Sequence, residues 1–371
     1  MTDEQTMKTA RDLIYLVGCA VNKETPDTGR VADMDPDALY KMASRHLIAA
    51  TAAPALKAAG VRNDLFENAL NNSILKNITM DAEMDALFAA LDKAGIWHMP
   101  LKGIVLQHIY PHYGMRQMAD HDILFDAGRA DEVKSIMEGL GFHTEHFGAG
   151  NHDVYHKKPV SNFEMHRSLF DEAHDEKIYE YYKNVYERLL GDGLEKHFSP
   201  EDFYIYATAH EHKHYSGGGT GLRSLIDTYV YLKNTTLDMS YIAAETEKLG
   251  IADFEVENRT LAQHIFSGGE LTEAEQQMLD YILSSGTYGT ISHHVENNIR
   301  KSKHGKLGYA LGRFFVPVSK KNKRYAGFAG SYPFFYKHKI LLPLLPFYRT
   351  FRAMKNGKFR SEAKAIKNAK V

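Results

Sequence analysis

Two short stretches alternate with the two-residue period of a β-strand and carry acids on one face, and they constrain the fold of this chain most. The first reads Asp120-His121-Asp122-Ile123-Leu124-Phe125 and the second Ser161-Asn162-Phe163-Glu164-Met165-His166. Alternate strand residues share a face. Asp120 and Asp122 therefore project side by side at the start of an apolar run, and Phe163 and Met165 oppose Asn162, Glu164 and His166. Like charges held that close repel unless a cation lies between them. Glu164 is the candidate third member of a carboxylate triad. Three hard oxygen ligands suit Mg²⁺ or Mn²⁺, whereas zinc would want more His or Cys.

The surrounding sequence frames these strands. Residues 97–101 read as a neighbouring strand leading into Lys102-Gly103, with a helix after it over 105–110. Another helix is expected over 129–140, stopped by Gly141. Three- and four-residue apolar spacing predicts helices over 10–21, 36–56 and 65–93 before the strands. After them, helices are expected over 178–190, 201–214, 222–233 and 241–249, with Gly217-Gly218-Gly219 separating the second from the third. The expected class is α+β, a small mixed-sheet core flanked by helical regions. The expected divisions are an N-terminal helical region 1–95, an α/β core 96–170, a helical domain 171–300 and a tail 301–371.

The residues Ala94-Gly95-Ile96, Leu101-Lys102-Gly103, Leu106, Tyr110, Arg116 and Asp120 to Phe125 together carry a resemblance. The chain resembles the polymerase-beta-like nucleotidyltransferases, and within them a bacterial uncharacterised nucleotidyltransferase family. The likeness extends more loosely through Glu164-Met165-His166 and from Ala209-His210 to Asp227. It implies a nucleotidyltransferase core and a magnesium-dependent transfer of a nucleoside monophosphate from an NTP to an acceptor hydroxyl on a glycan precursor, small metabolite or protein side chain. On this resemblance, Asp120, Asp122 and Glu164 hold Mg²⁺ or Mn²⁺, and Glu164 helps deprotonate the acceptor. Lys102 and Arg116 neutralise the phosphates. Lys102-Gly103 stands where the wider superfamily carries Gly-Ser, so the phosphates would meet an ammonium and a backbone N–H. Glu164 replaces an Asp common among relatives and reaches one methylene further.

Two further readings stay open. The chain could be a catalytically silent relative that binds nucleotide or a partner. It could also be a zinc hydrolase, because His210-Glu211-His212-Lys213-His214 matches His-Glu-x-x-His, in which two histidines one turn apart bind zinc and the Glu acts as base. The longer form of that motif needs a ligand where this chain has Thr220, and the competing accounts are a satisfied or solvated helix face and a helix lending polar groups to the cleft. His121 and His166 are expected to support the site or lie on the surface, since hard cations prefer oxygen. Arg223 and Asp227, four apart, are expected to pair along or between helices.

Composition sets outer limits. In 371 residues, 44% hydrophobic content supports a substantial core. The single cysteine, Cys19, excludes intrachain disulfides and cysteine-based zinc sites. That, and an acidic start without a signal-peptide pattern, suggests a cytoplasmic setting. There is no P-loop, dinucleotide-binding glycine fingerprint or nucleophile elbow. Residues 301–371 carry eighteen Lys/Arg against the single Glu362, a formal +17 that leaves −19 on the first 300 residues. Interleaved aromatics and leucines make that tail a candidate for folding back on the acidic body or for peripheral contact with an anionic membrane. Nucleic acid is the less favoured partner.

Overall fold

The computed structural model describes residues 3–148, 150–172, 175–319, 322, 325–355 and 358–369. Expectations at Met1-Thr2, and at Lys320, Lys321, Lys323, Arg324 and Lys370 of the tail, lie outside the described residues.

The long helix Asp64–Lys93 starts where the sequence predicts because Asn63 caps it, accepting from the backbone N–H of Leu65 at 3.0 Å and of Phe66 at 3.3 Å. Gly95, at φ +68°, turns the chain out of that helix into the first strand. The sheet has five strands: β1 (His98–Pro100), β2 (His121–Phe125), β3 (His143–His146), β4 (His152–Lys157) and β5 (Ser161–His166). Their spatial order is β1-β2-β5-β4-β3, with β2 and β5 parallel and every other neighbouring pair antiparallel. This is the mixed sheet of the expected α+β class.

Helices cover both faces. Ile123, Phe125, Tyr155, Phe163 and Met165 pack on one side against Leu87 and Leu91 of the long helix and Val133 and Met137 of the helix Ala130–Gly139. On the other side Leu124 joins Met99, Leu101, Phe170 and Tyr206, the last from the helix Pro200–Tyr215. All five residues of β2 are therefore buried. Each large apolar side chain so covered contributes about 1.5–3 kcal/mol.

The structure corrects several expected elements. The helix expected over 36–56 is two helices, Pro36–Arg45 and Ala49–Ala58, broken where Leu47 takes φ +52°. The break serves a distant helix: buried His46 accepts at Nδ1 from the backbone N–H of Leu222, 3.1 Å away, at the start of Leu222–Asn234. Burial pushes the His46 imidazole down to about 4, which keeps it a neutral acceptor. The helix expected over 178–190 stops at Tyr182 and resumes as a 3₁₀ turn, Val185–Arg188. Strands β3 and β4 were not anticipated, because β3 has no apolar run and β4 places Asp153 at a buried position, where it pairs with Arg167 at 3.1 Å.

Helices Ala252–Ser267, Glu273–Ser285 and Ile291–Lys301 extend the helical part. Leu13, Leu16 and Val17 near the N-terminus share one core with Leu225, Ile226, Leu261 and Ile282. The two helical regions on either side of the sheet thus pack as one body around it. The tail forms further helices, of which Gly305–Phe314 and Lys358–Asn368 rest on Ile291–Lys301 through Tyr309, Ala365, Val295 and Ile299.

Candidate active site

A cavity of about 450 Å³ opens between the polar end of the sheet and the helices Pro200–Tyr215 and Leu222–Asn234. Strand register assembles its floor. Asp122 on β2 lies beside Glu164 on the parallel strand β5, and His152 on β4 lies opposite His166. Asp120 precedes β2 and also lines the cavity. Lys76 of the long helix steadies that turn, donating to the carbonyl of Ala119 at 2.9 Å.

Lys102 stands at the end of β1's extension, where the Leu101 N–H donates to the carbonyl of Asp122 at 2.9 Å. Its ammonium reaches Asp122 Oδ1 at 2.6 Å, and His166 Nε2 lies 2.8 Å from the same oxygen. Lys102 holds φ +42°, a conformation unfavourable for a residue with a Cβ and a common mark of functional positions.

These contacts split the acids electrostatically. Burial alone would raise Asp122, but Lys102 and His166 override it and hold the carboxyl well below the usual range. Asp120 is pushed up to about 6 by burial and by the charges of Asp122 and Glu164. Glu164 lies below its ordinary value: burial raises it, and nearby His166, with His152 and Lys102, more than offsets that. Acids that inhibit one another's ionisation in one cavity form a donor set that a divalent cation relieves. The set is not purely oxygen: His152, Glu164 and His166 present ligand atoms all within 4.8 Å of one another. Both imidazole Nε2 atoms lie 3.6 Å from Glu164 Oε2, and His152 Nδ1 is held 3.2 Å from Asn151 Oδ1. Such a support behind a ligating imidazole fixes its orientation.

The basic residues divide differently from the sequence expectation. Arg116 does line the cavity, but its guanidinium is engaged by Asp227 through Nε–Oδ1 and Nη2–Oδ2 contacts of 2.8 Å each. Tyr110 donates to the same carboxylate at 2.6 Å. The expected Arg223–Asp227 pair is therefore replaced: Arg223 donates to the carbonyl of Gln117 at 2.9 Å. Burial and neighbouring Arg116 lower Arg223. Lys213 enters from the helix above, lowered by burial and by Lys102. Gly103 has a steric role, since a Cβ there would lie 2.4 Å from Arg116 Nη1 and 2.9 Å from Met118 Sδ.

His121 is buried away from the cavity, its Nε2 3.1 Å from Asp81 Oδ1. His166, by contrast, belongs to the cavity floor. His210 and His214 also line the cavity, with Nε2 atoms 3.2 Å apart. Glu211 of that motif also borders the cavity, but it is buried, accepts from Asn258 at 3.3 Å and is pushed up to about 7 by burial. Thr220 donates to Ser224 at 3.2 Å. Among the described residues the His/Cys/Asp/Glu cluster with metal-holding geometry is His152, Glu164 and His166, and His210 and His214 are not part of it. His152 was missed in the sequence because its strand was missed. Lys213 was visible only as part of a histidine-rich helix.

The fold, a mixed sheet presenting acids to a cleft roofed by helices, is consistent with a nucleotidyltransferase core. The chain belongs to the uncharacterised nucleotidyltransferase family, whose model matches residues 32–267. That match takes in the whole sheet and both cavity-lining helices and leaves out the basic tail. No curated protein and no solved structure matches the chain.

Proposed function

We propose that this protein transfers a nucleoside monophosphate from an NTP to an acceptor hydroxyl. The observation that carries the reading is the convergence of Asp120, Asp122 and Glu164 with Lys102, Lys213 and Arg223 on one cavity. Acids and bases so gathered suit a polyanionic substrate that arrives with a divalent cation.

Asp120, Asp122 and Glu164 would hold Mg²⁺ or Mn²⁺, which when bound supplies charge neutralisation on the triphosphate and polarisation of the α-phosphate. His152 and His166, beside Glu164, favour Mn²⁺. Lys213 and Arg223 would take the β- and γ-phosphates. Lys102, paired with Asp122 here, would turn to a phosphate oxygen of the bound nucleotide. The acceptor oxygen bonds to the α-phosphorus while the bond from that phosphorus to the bridging β-phosphate oxygen breaks. Pyrophosphate leaves with the electron pair, and the hydroxyl proton passes to Glu164.

The test is isothermal titration of the four NTPs with Mg²⁺ or Mn²⁺ into the wild type and the Asp120→Asn/Asp122→Asn variant. Metal-dependent binding lost in the variant is expected, whereas folded wild type that binds no NTP would sink the reading. One observation favours a second reading, a nucleotide- or partner-binding relative without catalysis: the Lys102–Asp122 ion pair at 2.6 Å closes a ligand position. NTP binding without pyrophosphate release across a panel of hydroxyl acceptors would select it.

A further inference from the structure

We propose that the tail carries a binding site for an anionic lipid surface, built on the helix Leu345–Lys355 and the turn before it. The site consists of large apolar side chains that the fold leaves in water beside uncompensated cations. Phe347, Phe351 and Met354 are 63%, 70% and 59% exposed, and their spacing of four and three places them on one side of the helix. The exposed pair Phe314 and Phe315 extends the patch, and Ile340 in the preceding turn is 89% exposed. The aromatic part is one surface, with the Phe314 and Phe347 ring centroids 5.5 Å apart and those of Phe314 and Phe315 5.9 Å apart.

The helix could have buried these residues and does not. Its opposite side supplies Leu345 to a small core with Tyr336 and Leu342, and Arg349 anchors it by donating to the carbonyl of Arg313 at 3.1 Å. Lys337 and Lys339 before the helix and Arg352 and Lys355 on it are also exposed. The one acid of residues 301–371, Glu362, is already engaged by Arg313 and Tyr309.

Charge complementarity selects the occupant. Exposed apolar anchors accompanied by exposed cations match the boundary between acyl chains and anionic headgroups, where an amphipathic helix lies in the plane. Single-stranded nucleic acid would instead use base stacking, to which aliphatic Ile340 and Met354 contribute nothing. Among the described residues no helix is long and apolar enough to cross a membrane, so the contact is with a surface.

The experiment is co-sedimentation of the full chain with vesicles of phosphatidylcholine alone or containing about 30% phosphatidylglycerol. Expected is binding to the anionic vesicles that weakens as salt rises from ~0.1 M to ~0.5 M. Phe347→Ser/Phe351→Ser should lower the partition coefficient at least roughly tenfold. Arg352→Gln/Lys355→Gln should lower it about fivefold per charge. Both pairs are solvent-exposed, so circular dichroism and melting should match the wild type. A Phe351→Trp protein should show blue-shifted emission on the anionic vesicles. Absence of binding at low salt would overturn the proposal. So would binding indifferent to the phenylalanine pair, which would indicate a plain polyanion contact. Self-association abolished by that pair, without vesicle binding, would assign the face to a second copy of the chain.

Discussion

Arg116 and Asp227, 111 residues apart, meet through two parallel 2.8 Å hydrogen bonds in the wall of the cavity. The pair joins the loop before β2 to the helix that roofs the site. Burial would lower the guanidinium, but Asp227 more than compensates and raises it above its ordinary value. Removing one partner of such a pair leaves a buried uncompensated charge. Asp227→Ala should therefore cost about 3–5 kcal/mol in denaturant unfolding, and Asp227→Asn, which keeps an acceptor for Tyr110, distinctly less. A loss under 1 kcal/mol in both would show the pair to be incidental.

Asp120 should behave as a strained acid. Its carboxyl sits at about 6 in the folded protein against an ordinary 3.8, chiefly through burial and then Asp122. The folded state thus holds the extra proton between those values, so ionising Asp120 costs stability that grows as pH rises from about 4 to about 6. In chelator at pH 7, Asp120→Asn should raise stability by on the order of 1–2 kcal/mol and at pH 4 change it little. Thermal melts at the two pH values measure the difference, and equal shifts would refute it.

Lys213 should matter to ligand and not to fold. Its ammonium is lowered by burial and by Lys102, so its charge weakens the empty protein. Lys213→Met should leave the melting temperature unchanged or higher while weakening NTP binding about tenfold. A variant that melts lower and binds normally would make Lys213 a packing residue.

His152 should set metal preference. It stands 3.6 Å from Glu164 Oε2 on a strand the carboxylates do not share. His152→Ala should lower Mn²⁺ affinity about tenfold and Mg²⁺ affinity less than about threefold, since imidazole ligands suit Mn²⁺ better. Electron paramagnetic resonance of bound Mn²⁺, with Mg²⁺ competition, reads both; equal changes would exclude imidazole ligation.

Local sequence carried much of this. Two-residue alternation fixed β5 at Ser161–His166 and the sides on which Phe163 and Glu164 fall, because a strand buried on one side and polar on the other writes that pattern into adjacent residues. The long helix was equally legible from its apolar spacing, and its Asn63 cap came with the structure. The charge of the tail, a property of composition alone, was also plain. Long-range partnerships were not: which carboxylate Arg116 would take, that His46 would interrupt a helix to cap Leu222, or that Asn151-His152 would come back beside His166. Those choices depend on which side chains meet when the sheet closes against two helices. A buried charge or N–H must then take the partner that tertiary packing brings to it, however good a partner its sequence neighbour would have been.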